Sequence, residues 1–388
     1  MPSVMWFRRD LRLFDNPALN AAIDSAANDG DSNVVALFNI DPKVFDDAGD
    51  PLKAYQDASL KSLDESLNNN LLIRHGDPKK VIVEVAKAAQ AKTVHISEDF
   101  EPYGRKRDFE VEKELEKNGI KLIKTGSPYA VAPFRVKKDD GTPYRVFTPF
   151  YKSWVIHGWR KPAPKFKKEP NWIKPLKNEG RPKVKSEIEI PKAGEQNALD
   201  LFTKFLKNGI KGYDQNRNRP DLEGTSKLSI PLRFGEIHPR TLLSYCGESK
   251  AHDTFRKEIA WREFYADVLY NNPTTDTEYY APKFKEMRYD KPGAQFKAWC
   301  EGKTGYPFVD AAMRQLVSEG WMHNRTRMVV ASFLVKDLHI EWQHGANFFM
   351  KYLIDNDVAS NSHGWQWTAG CGTDASPYYR VFNPIEQG

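Results

Sequence analysis

The first 126 residues alternate short apolar runs with longer segments of helical spacing. The longer segments, at 53–67, 81–91 and 104–117, carry apolar residues three and four positions apart and predict helices. The short runs are rich in β-branched residues and predict strands at 4–7, 34–40, 71–75, 93–97 and 121–124. Strands that alternate with helices form βαβ units, so we expect an α/β fold with a doubly wound, Rossmann-like parallel sheet.

The second half of the chain has a different pattern. From about residue 199 onward the spacing is almost entirely helical, with the clearest apolar repeats at 255–270, 309–317, 322–338 and 346–354. This part predicts an all-α domain.

A segment rich in lysine and proline, at 161–191, lies between the two patterns and shows little periodicity. Such composition is typical of an extended linker. We therefore expect an α/β domain at 1–130, an inter-domain linker at 131–198 and the all-α domain at 199–388.

The composition limits the class of protein. The 58 basic residues exceed the 52 acidic ones and give a net charge of +6, which permits a polyanionic partner without requiring one. No apolar run approaches the ~18 residues of a membrane helix, and the run at 4–7 is too short for a signal peptide. Cys246, Cys300 and Cys371 are far apart, and the nine histidines lack the spacing of metal ligands. We expect a cytoplasmic protein with no membrane contact, disulfide or metal.

Two tryptophans stand in an unusual polar setting near the end of the chain. Trp365 and Trp367 close a polar run that starts at Asp355, where no apolar stripe of period 2 or 3.6 exists. We interpret this run as an irregular loop whose indole rings stack on an aromatic ligand or carry electrons. The alternative is that both rings simply fill the floor of the loop.

Two predicted helices carry polar and aromatic residues on one face. Glu258, Trp261 and Tyr265 are three and four positions apart, so a carboxylate and two rings could hold a flat ligand. Asn324 and Met328 are four apart on another helix, a pair that suits a nucleobase. Arg325 and Arg327, beside them, could hold its phosphate. Ordinary amphipathic packing with solvated arginines is the alternative for both helices.

Two further polar segments could bind a nucleotide. Residues 225–229, which are Thr225, Ser226, Lys227, Leu228 and Ser229, form a turn before a helix and could hold phosphate, although such hydroxyls also commonly cap helices. Asp355, Asn356 and Asp357 could accept hydrogen bonds from a ribose or pair with an arginine. A solvated turn is the alternative for this second segment.

Several longer motifs resemble those of the photolyase/cryptochrome family, and in particular the class I cyclobutane pyrimidine dimer photolyases. These motifs are WFRRDLRL from Trp6, WREFY from Trp261, GYPFVDAAMRQL from Gly305, GWMHNR from Gly320 and GWQW from Gly364. The resemblance extends over nearly the whole chain. It implies a monomeric deoxyribodipyrimidine photo-lyase with an α/β domain, followed by an all-helical domain that binds FAD and damaged DNA.

The activity implied is light-driven repair. Excited, fully reduced FAD gives an electron to a pyrimidine dimer flipped out of the DNA, the cyclobutane ring splits, and the electron returns. A cryptochrome-like photoreceptor that binds FAD without repairing DNA is the alternative, as is a fragment unable to repair DNA.

The resemblance also implies roles for single residues. The FAD phosphates are assigned to Tyr213 and to Thr225, Ser226, Lys227, Leu228 and Ser229, and the flavin and ribose to Arg327, Asp355, Asn356 and Asp357. Asn361 is assigned to flavin N5. The residues assigned to the dimer and its DNA are Glu258, Trp261, Tyr265, Asn324, Met328 and Trp367, with Arg217 and Arg325 at phosphates. Glu258 and Asn361 are the implied catalytic residues.

The sequence departs from the family pattern in the electron relay. Trp365 and Trp342 match the first two tryptophans of the relay that reduces FAD in light, but Tyr289 stands at the third position. A tyrosine must lose its proton as it is oxidised, so we expect a slower or rerouted outer step.

Two other features differ within the family. Members continue for several helices beyond the segment matching Phe382-Asn-Pro, so we expect that either the sequence is a fragment or these helices are missing. The segment EPYGRKRD from Glu101 is similar to deazaflavin-binding members. We therefore favour a deazaflavin over a folate as a second, light-harvesting chromophore, with an empty or flavin-filled pocket as the alternative.

Overall fold

The computed structural model describes residues 1–375, 377 and 379–387. Ser376, Tyr378 and Gly388, the last residue of the predicted all-α domain, lie outside the described residues.

A parallel β-sheet forms the N-terminal part of the chain. Its five main strands are β1 Ser3–Phe7, β2 Asn33–Ile40, β3 Leu71–His75, β4 Thr93–Ile96 and β5 Lys121–Lys124. They pair in the order β3-β2-β1-β4-β5, and every pair is parallel. All five predicted strands are therefore present, and the doubly wound sheet is confirmed.

The helices around this sheet are α1 Pro17–Asn28, α2 Pro42–Phe45, α3 Asp50–Ser66, α4 Pro78–Ala88 and α5 Pro102–Glu116. Each has proline in its first turn, where the missing N–H costs nothing. Asn16 and Asp77 cap α1 and α4 with their side chains. The predicted helices begin two to three residues late because apolar spacing does not register these polar first turns.

The two faces of the sheet are covered by different helices. Met5 and Phe7 of β1 pack with α1 and α3, whereas Val4 and Trp6 point to the opposite face and pack with α4 and α5. The core with Met5 also includes Ile230, Phe234 and Ile354, so the helical part of the chain packs directly on the sheet domain.

The segment between the two patterns is partly structured. It holds α6 Phe147–His157 and a two-residue strand β6 Asn171–Trp172, which pairs with β2 and which the sequence pattern does not predict. Trp154 of α6 is fully buried and donates a hydrogen bond to Glu263 at 2.7 Å.

The rest of the chain is helical, as predicted. Its helices are α7 Glu195–Asn208, α8 Tyr213–Asn216, α9 Ser229–Phe234, α10 Pro239–Leu243, α11 Lys250–Asn271, α12 Ala294–Cys300, α13 Pro307–Glu319, α14 Asn324–Ser332, α15 Trp342–Tyr352 and α16 Val358–Ala369. Short 3₁₀ turns lie at Ile210–Gly212, Pro273–Asp276 and Pro282–Glu286, and a π-helical turn at Phe333–Asp337 follows α14.

The double-tryptophan segment is the main error of the sequence interpretation, because it is a helix and not a loop. Asp357 caps α16 by accepting a hydrogen bond from the Ser360 amide at 2.9 Å, and Gly370 ends it in the left-handed conformation. His363 and Gln366 are buried together with Trp365. Since polar side chains are buried as well as apolar ones, α16 has no apolar stripe to recognise.

None of the helices in the described part of the chain is long and apolar enough to cross a membrane. The three cysteines are free thiols, and the described residues contain no cluster of three metal-binding side chains.

Candidate functional site

One large cavity, of about 510 Å³, opens between the helices of the C-terminal half. Its walls come from α8, the turn before α9, and α11, α14, α15 and α16. Every residue predicted to bind the cofactor lines it, as do all those predicted to bind the dimer except Arg325. The structure therefore brings together residues from positions 213 to 367 in one place.

Asp355 lies in this cavity, and only one of its two carboxylate oxygens accepts a hydrogen bond from the part of the chain that is described. Its Oδ2 accepts a hydrogen bond from Arg327 Nη2 at 2.8 Å, and Arg327 also donates to the carbonyl of Met322. Oδ1 is buried and has no hydrogen-bond partner in the part of the chain that the structure describes. A buried carboxylate oxygen without a partner is costly, so this atom fits a ligand that brings a donor.

Asp357 has its charge satisfied by protein groups. Arg9 Nη2 donates to its Oδ2 at 2.7 Å, and the Ser360 amide donates to Oδ1. Burial alone would raise the pKa of Asp357, but the Arg9 and Arg262 guanidiniums and the Ser360 amide hold it well below its ordinary value. Asp357 is therefore an anion that holds the end of α16 in place.

Two half-buried arginines of the cavity wall were not predicted. Arg233 Nε donates to the carbonyl oxygen of Asn356, and burial together with the nearby Arg9 lowers the pKa of Arg233 to about 10. Arg262 also lines the cavity and donates to the carbonyl of Pro128 at 3.0 Å. Arg262 lies inside the WREFY motif, and Arg233 lies four residues after Ser229. Their closeness to predicted site residues is the sequence signal that could have identified both.

The turn at 225–229 forms one wall. Lys227 has a φ of +52°, and the Ser226 hydroxyl accepts from the Leu228 amide at 3.4 Å. The Ser229 hydroxyl lies 3.3 Å from the indole nitrogen of Trp321, another cavity residue that the sequence reading missed. The predicted turn before a helix is thus present, with its hydroxyls beside the cavity.

Asn361 and Gly364 lie one turn apart on α16 and both line the cavity. Asn361 Nδ2 donates to the carbonyl of Ala346 at 3.1 Å, which fixes the amide plane. A Cβ added at Gly364 would meet no atom within 4 Å. The backbone of α16 is therefore open to a ligand at Gly364.

The base-binding candidates form another wall. Trp261 stacks on Phe147 of α6, with ring centroids 3.8 Å apart and an interplanar angle of 8°. Glu258 pairs with Arg217. Burial raises the pKa of Glu258, and the Arg217 guanidinium only partly offsets the rise. Phe147 was not predicted, because it lies 114 residues before Trp261 in the sequence.

Arg325 does not line the cavity, unlike the other residues predicted to bind the substrate. It lies in the first turn of α14, is half buried and donates to the Asn218 side chain. Its contact with a DNA phosphate stays a prediction.

The three predicted relay residues differ in burial and in their relation to the cavity. Trp365 lines the cavity and is buried, with its ring tip against Gly345 of α15. Trp342, three residues before Gly345, is also buried. Tyr289 is half buried, and its ring lies 5.5 Å from that of His339.

The EPYGRKRD segment lies at the carboxyl ends of β1 and β4. Arg9 pairs with Glu101, Arg107 with Asp99, and Arg8 with Asp108 at 2.6 Å. A small pocket of about 10 Å³ lies beside Arg8, Arg9 and Asp99, and it is too small for a chromophore.

Comparisons with known proteins agree with this architecture. A family model described as DNA photolyase matches residues 3–169, and one described as the FAD binding domain of DNA photolyase matches residues 255–388. The deoxyribodipyrimidine photo-lyase of Synechococcus sp. is 36% identical over an alignment 420 residues long, gaps included. This alignment covers 100% of this chain and 84% of the relative.

Three solved structures are similar over the whole chain. A class III photolyase from Agrobacterium tumefaciens has a TM-score of 0.88 and 33% identity, and this chain covers 83% of it. A Sulfolobus tokodaii photolyase with two FAD molecules has a TM-score of 0.86 and 28% identity, and a Synechocystis cryptochrome has 0.85 and 27%, each covered to 86%. The matches confirm the predicted fold class and the assignment to FAD-binding lyases of DNA repair. The chain therefore belongs to the DNA photolyase family.

Proposed function

We propose that this protein repairs cyclobutane pyrimidine dimers in DNA with light and FAD. The observation that carries the proposal is the single cavity whose walls combine nucleotide-type contacts around Asp355 and 225–229 with base-type contacts around Trp261 and Trp367. A site that must hold a flavin next to a flipped-out dimer needs both kinds of wall within one enclosure.

The charges of the cavity fit FAD. Among the lining residues that the structure describes are five cations, Arg217, Lys227, Arg233, Arg262 and Arg327, and three anions, Glu258, Asp355 and Asp357. The excess of two positive charges matches the two negative charges of a diphosphate. The unpartnered Asp355 Oδ1 and the open backbone at Gly364 are further places where the cofactor would fit.

In this proposal the FAD phosphates are held by Tyr213 and the hydroxyls and amides of 225–229. Asp355 with Arg327, together with Asn356 and Asp357, borders the ribose and flavin, and Asn361 faces N5. The Asn361 amide, held by the Ala346 carbonyl, does not titrate, so its hydrogen-bonding capacity is the same at any pH. Bound reduced FAD would supply, on excitation, the electron that opens the dimer.

The dimer would be held by stacking and by hydrogen bonds from the protein. Trp261 and Trp367 would form the walls, and Asn324 and Met328 of α14 the floor. Flipping a damaged base out of the helix costs a few kcal/mol, and each stacked base returns ~1–3 kcal/mol. Burial raises the pKa of Glu258, which the Arg217 guanidinium only partly offsets, and this side chain would hydrogen-bond the edge of a pyrimidine.

Binding to undamaged DNA would come from cations outside the stacking walls. Arg217 and Arg325 would contact phosphates. Such contacts weaken as the salt concentration rises, because the release of counterions from the DNA is then less favourable. We also keep as part of this proposal the class I assignment, the monomeric state and the cytoplasmic location, which rest on the sequence motifs and composition.

A second chromophore would occupy the carboxyl ends of β1 and β4, where the EPYGRKRD segment lies. We favour a deazaflavin there, beside the ion pairs of Arg8, Arg9 and Arg107. The Sulfolobus tokodaii neighbour, which is described with two FAD molecules, supports a second flavin as the alternative.

The test is illumination of the purified protein, with its flavin chemically reduced, in the presence of DNA that contains a defined dimer. Loss of the dimer in light and not in darkness is the expected result. A protein that binds FAD and leaves the dimer intact in light would contradict the proposal. That outcome would favour a photoreceptor like the Synechocystis cryptochrome, to which the chain is also similar.

A further inference from the structure

Tyr279 is a buried tyrosine next to Trp342 to which neither the motifs nor the cavity gives a role. Its side chain is 6% exposed, and its ring lies 6.1 Å from the Trp342 ring at an interplanar angle of 86°. We propose that Tyr279 gives the electron that refills oxidised Trp342, and that Glu341 takes the phenolic proton. The inference rests on the proposed function, because the electron moves toward bound FAD.

Helix α15 links the cavity wall to Tyr279. Trp365 lies in the cavity wall, and its ring tip touches α15 at Gly345, where a Cβ would come within 2.2 Å of it. Trp342 lies three residues before Gly345, so both positions are on one face of α15. The Tyr279 ring lies edge-on to the Trp342 ring, so we place Tyr279 directly after Trp342 in the series.

Oxidised Trp342 would keep its positive charge. Its indole Nε1 is buried and has no hydrogen-bond partner among the residues described. An oxidised indole without a nearby base cannot lose its proton quickly, so it remains a strong oxidant. The next electron must then come from a neighbour that can release a proton itself.

Tyr279 has such a proton acceptor. Its hydroxyl donates to Glu341 Oε1 at 2.7 Å. Glu341 precedes the first turn of α15, but its side chain makes no capping hydrogen bond there. Its carboxylate is therefore available to take a proton, and the pair is already joined by the hydrogen bond along which the proton moves.

Tyr279 carries its phenolic proton in the resting protein. Burial, then the Glu341 carboxylate and the Tyr289 hydroxyl, raise the pKa of Tyr279 well above its ordinary value. The phenol is therefore neutral at any working pH, and loss of an electron must be coupled to loss of the proton.

The proposed step conserves electrons and protons. Bound oxidised flavin would supply the oxidant on excitation, and one electron taken from Trp365 would be replaced from Trp342. One electron then passes from Tyr279 to Trp342, and the Tyr279 O–H proton passes to Glu341. Trp342 returns to its neutral form, Tyr279 becomes a neutral phenoxyl radical, and Glu341 becomes a carboxylic acid.

Tyr289, which the motif alignment placed third in the relay, is then a secondary site. Its hydroxyl is near enough to Tyr279 to affect the pKa of that residue, and it also donates to the Met287 sulfur at 3.7 Å. Tyr279 has both a ring against Trp342 and a carboxylate acceptor for its proton, so we place it before Tyr289 in the relay.

The experiment compares Tyr279→Phe, Glu341→Gln and Tyr289→Phe in the FAD-loaded protein by transient absorption after a light pulse. We expect Tyr279→Phe to lose the tyrosyl signal and to leave the oxidised tryptophan to decay by recombination. Glu341→Gln keeps a hydrogen-bond acceptor but removes the base, so we expect the same loss. Tyr289→Phe should keep the signal. Slower formation of the wild-type signal in D₂O is expected for a step that moves a proton.

Tyr352→Phe is the matched control. It removes a phenol from the same hydrophobic cluster, ten residues and therefore ~15 Å along α15 from Trp342. Dimer repair by chemically reduced protein, measured in every variant, checks that the cavity remains intact.

A tyrosyl signal that survives in Tyr279→Phe and disappears in Tyr289→Phe would overturn the proposal. So would wild-type protein that repairs dimers after chemical reduction and shows no tyrosyl radical at all, although the proposed function would then stand. Protein that forms the Tyr279 radical and leaves dimers intact in light would support this relay and contradict the repair function.

Discussion

Replacement of Trp261 by alanine tests whether the cavity recognises a lesion by stacking. The Trp261 ring already lies parallel to Phe147 at 3.8 Å, so one of its faces is covered by protein and the other is left for a ligand. One stacked base is worth ~1–3 kcal/mol. We therefore expect Trp261→Ala to weaken binding of dimer-containing duplex by roughly five- to 150-fold.

Binding to intact duplex should change little in the same variant, because it depends on cations such as Arg325 that remain. The assay is fluorescence anisotropy in darkness with damaged and intact duplexes at two salt concentrations. The salt dependence should be the same in wild type and variant, and only the ratio between the two duplexes should fall.

Trp159→Ala is the control for loss of a large side chain. Trp159 is also half buried, packs on the same hydrophobic cluster as Trp261 and contacts Trp154, but it does not line the cavity. Its removal should leave lesion binding unchanged. A Trp261→Ala protein that is folded, holds FAD and still distinguishes damaged from intact DNA as wild type does would refute the reasoning.

Four further outcomes are expected. Asp355→Asn should weaken FAD binding about 10- to 150-fold, because a hydrogen bond to a charged group contributes ~1.5–3 kcal/mol; flavin retention during dialysis measures it, and full retention would mean that Asp355 does not contact FAD. Asn361→Asp should change which flavin redox state persists in air, followed by absorption spectra, and identical spectra would exclude Asn361 from N5. Trp365→Phe should nearly abolish photoreduction of oxidised flavin while repair by chemically reduced protein falls much less; unchanged photoreduction would remove Trp365 from the relay. Burial lowers the pKa of His363 to about 4, whereas the pKa of this histidine in the unfolded chain is near 6.5. The unfolded chain therefore takes up a proton first as the pH falls from about 6.5 toward 4, and the folded state loses stability over that range. Urea unfolding should therefore show a loss of about 2 kcal/mol between pH 7 and pH 5 that His363→Gln lacks, and an equal loss in both proteins would contradict the assignment.

The central strands β1 and β2 were predictable because each contains a continuous apolar run. Parallel strands that are covered on both faces need no alternation, and β1 and β2 are buried along almost their whole length. The helix α16 was not predictable by the same means, because its buried residues include His363 and Gln366. The signals that could have identified it were local ones, Asp357 at its start and Gly370 at its end.

Many of the predicted site residues lie together in the cavity, but the contacts that support them were not predicted. Spacing on one helix correctly grouped Glu258 with Trp261, because the i, i+3 and i, i+4 rules act within a helix. Phe147 behind Trp261 and Tyr279 beside Trp342 come from distant segments, and no local pattern joins them. Contacts of this kind follow from the packing of whole helices against one another.

Arg9 of the WFRRDLRL motif lies at the end of a strand of the α/β domain but contacts a helix of the helical domain. In open parallel sheets a ligand usually binds beyond the carboxyl ends of the strands where the strand order reverses, which here is the crevice between β1 and β4. Arg9 follows β1 into this crevice, yet its guanidinium bridges Glu101 and Asp357, the residue that caps α16. Arg9, at the switch point of the sheet, therefore helps to orient α16, the helix that carries Asn361 and Trp365. In this way the α/β domain supports the cavity without lining it.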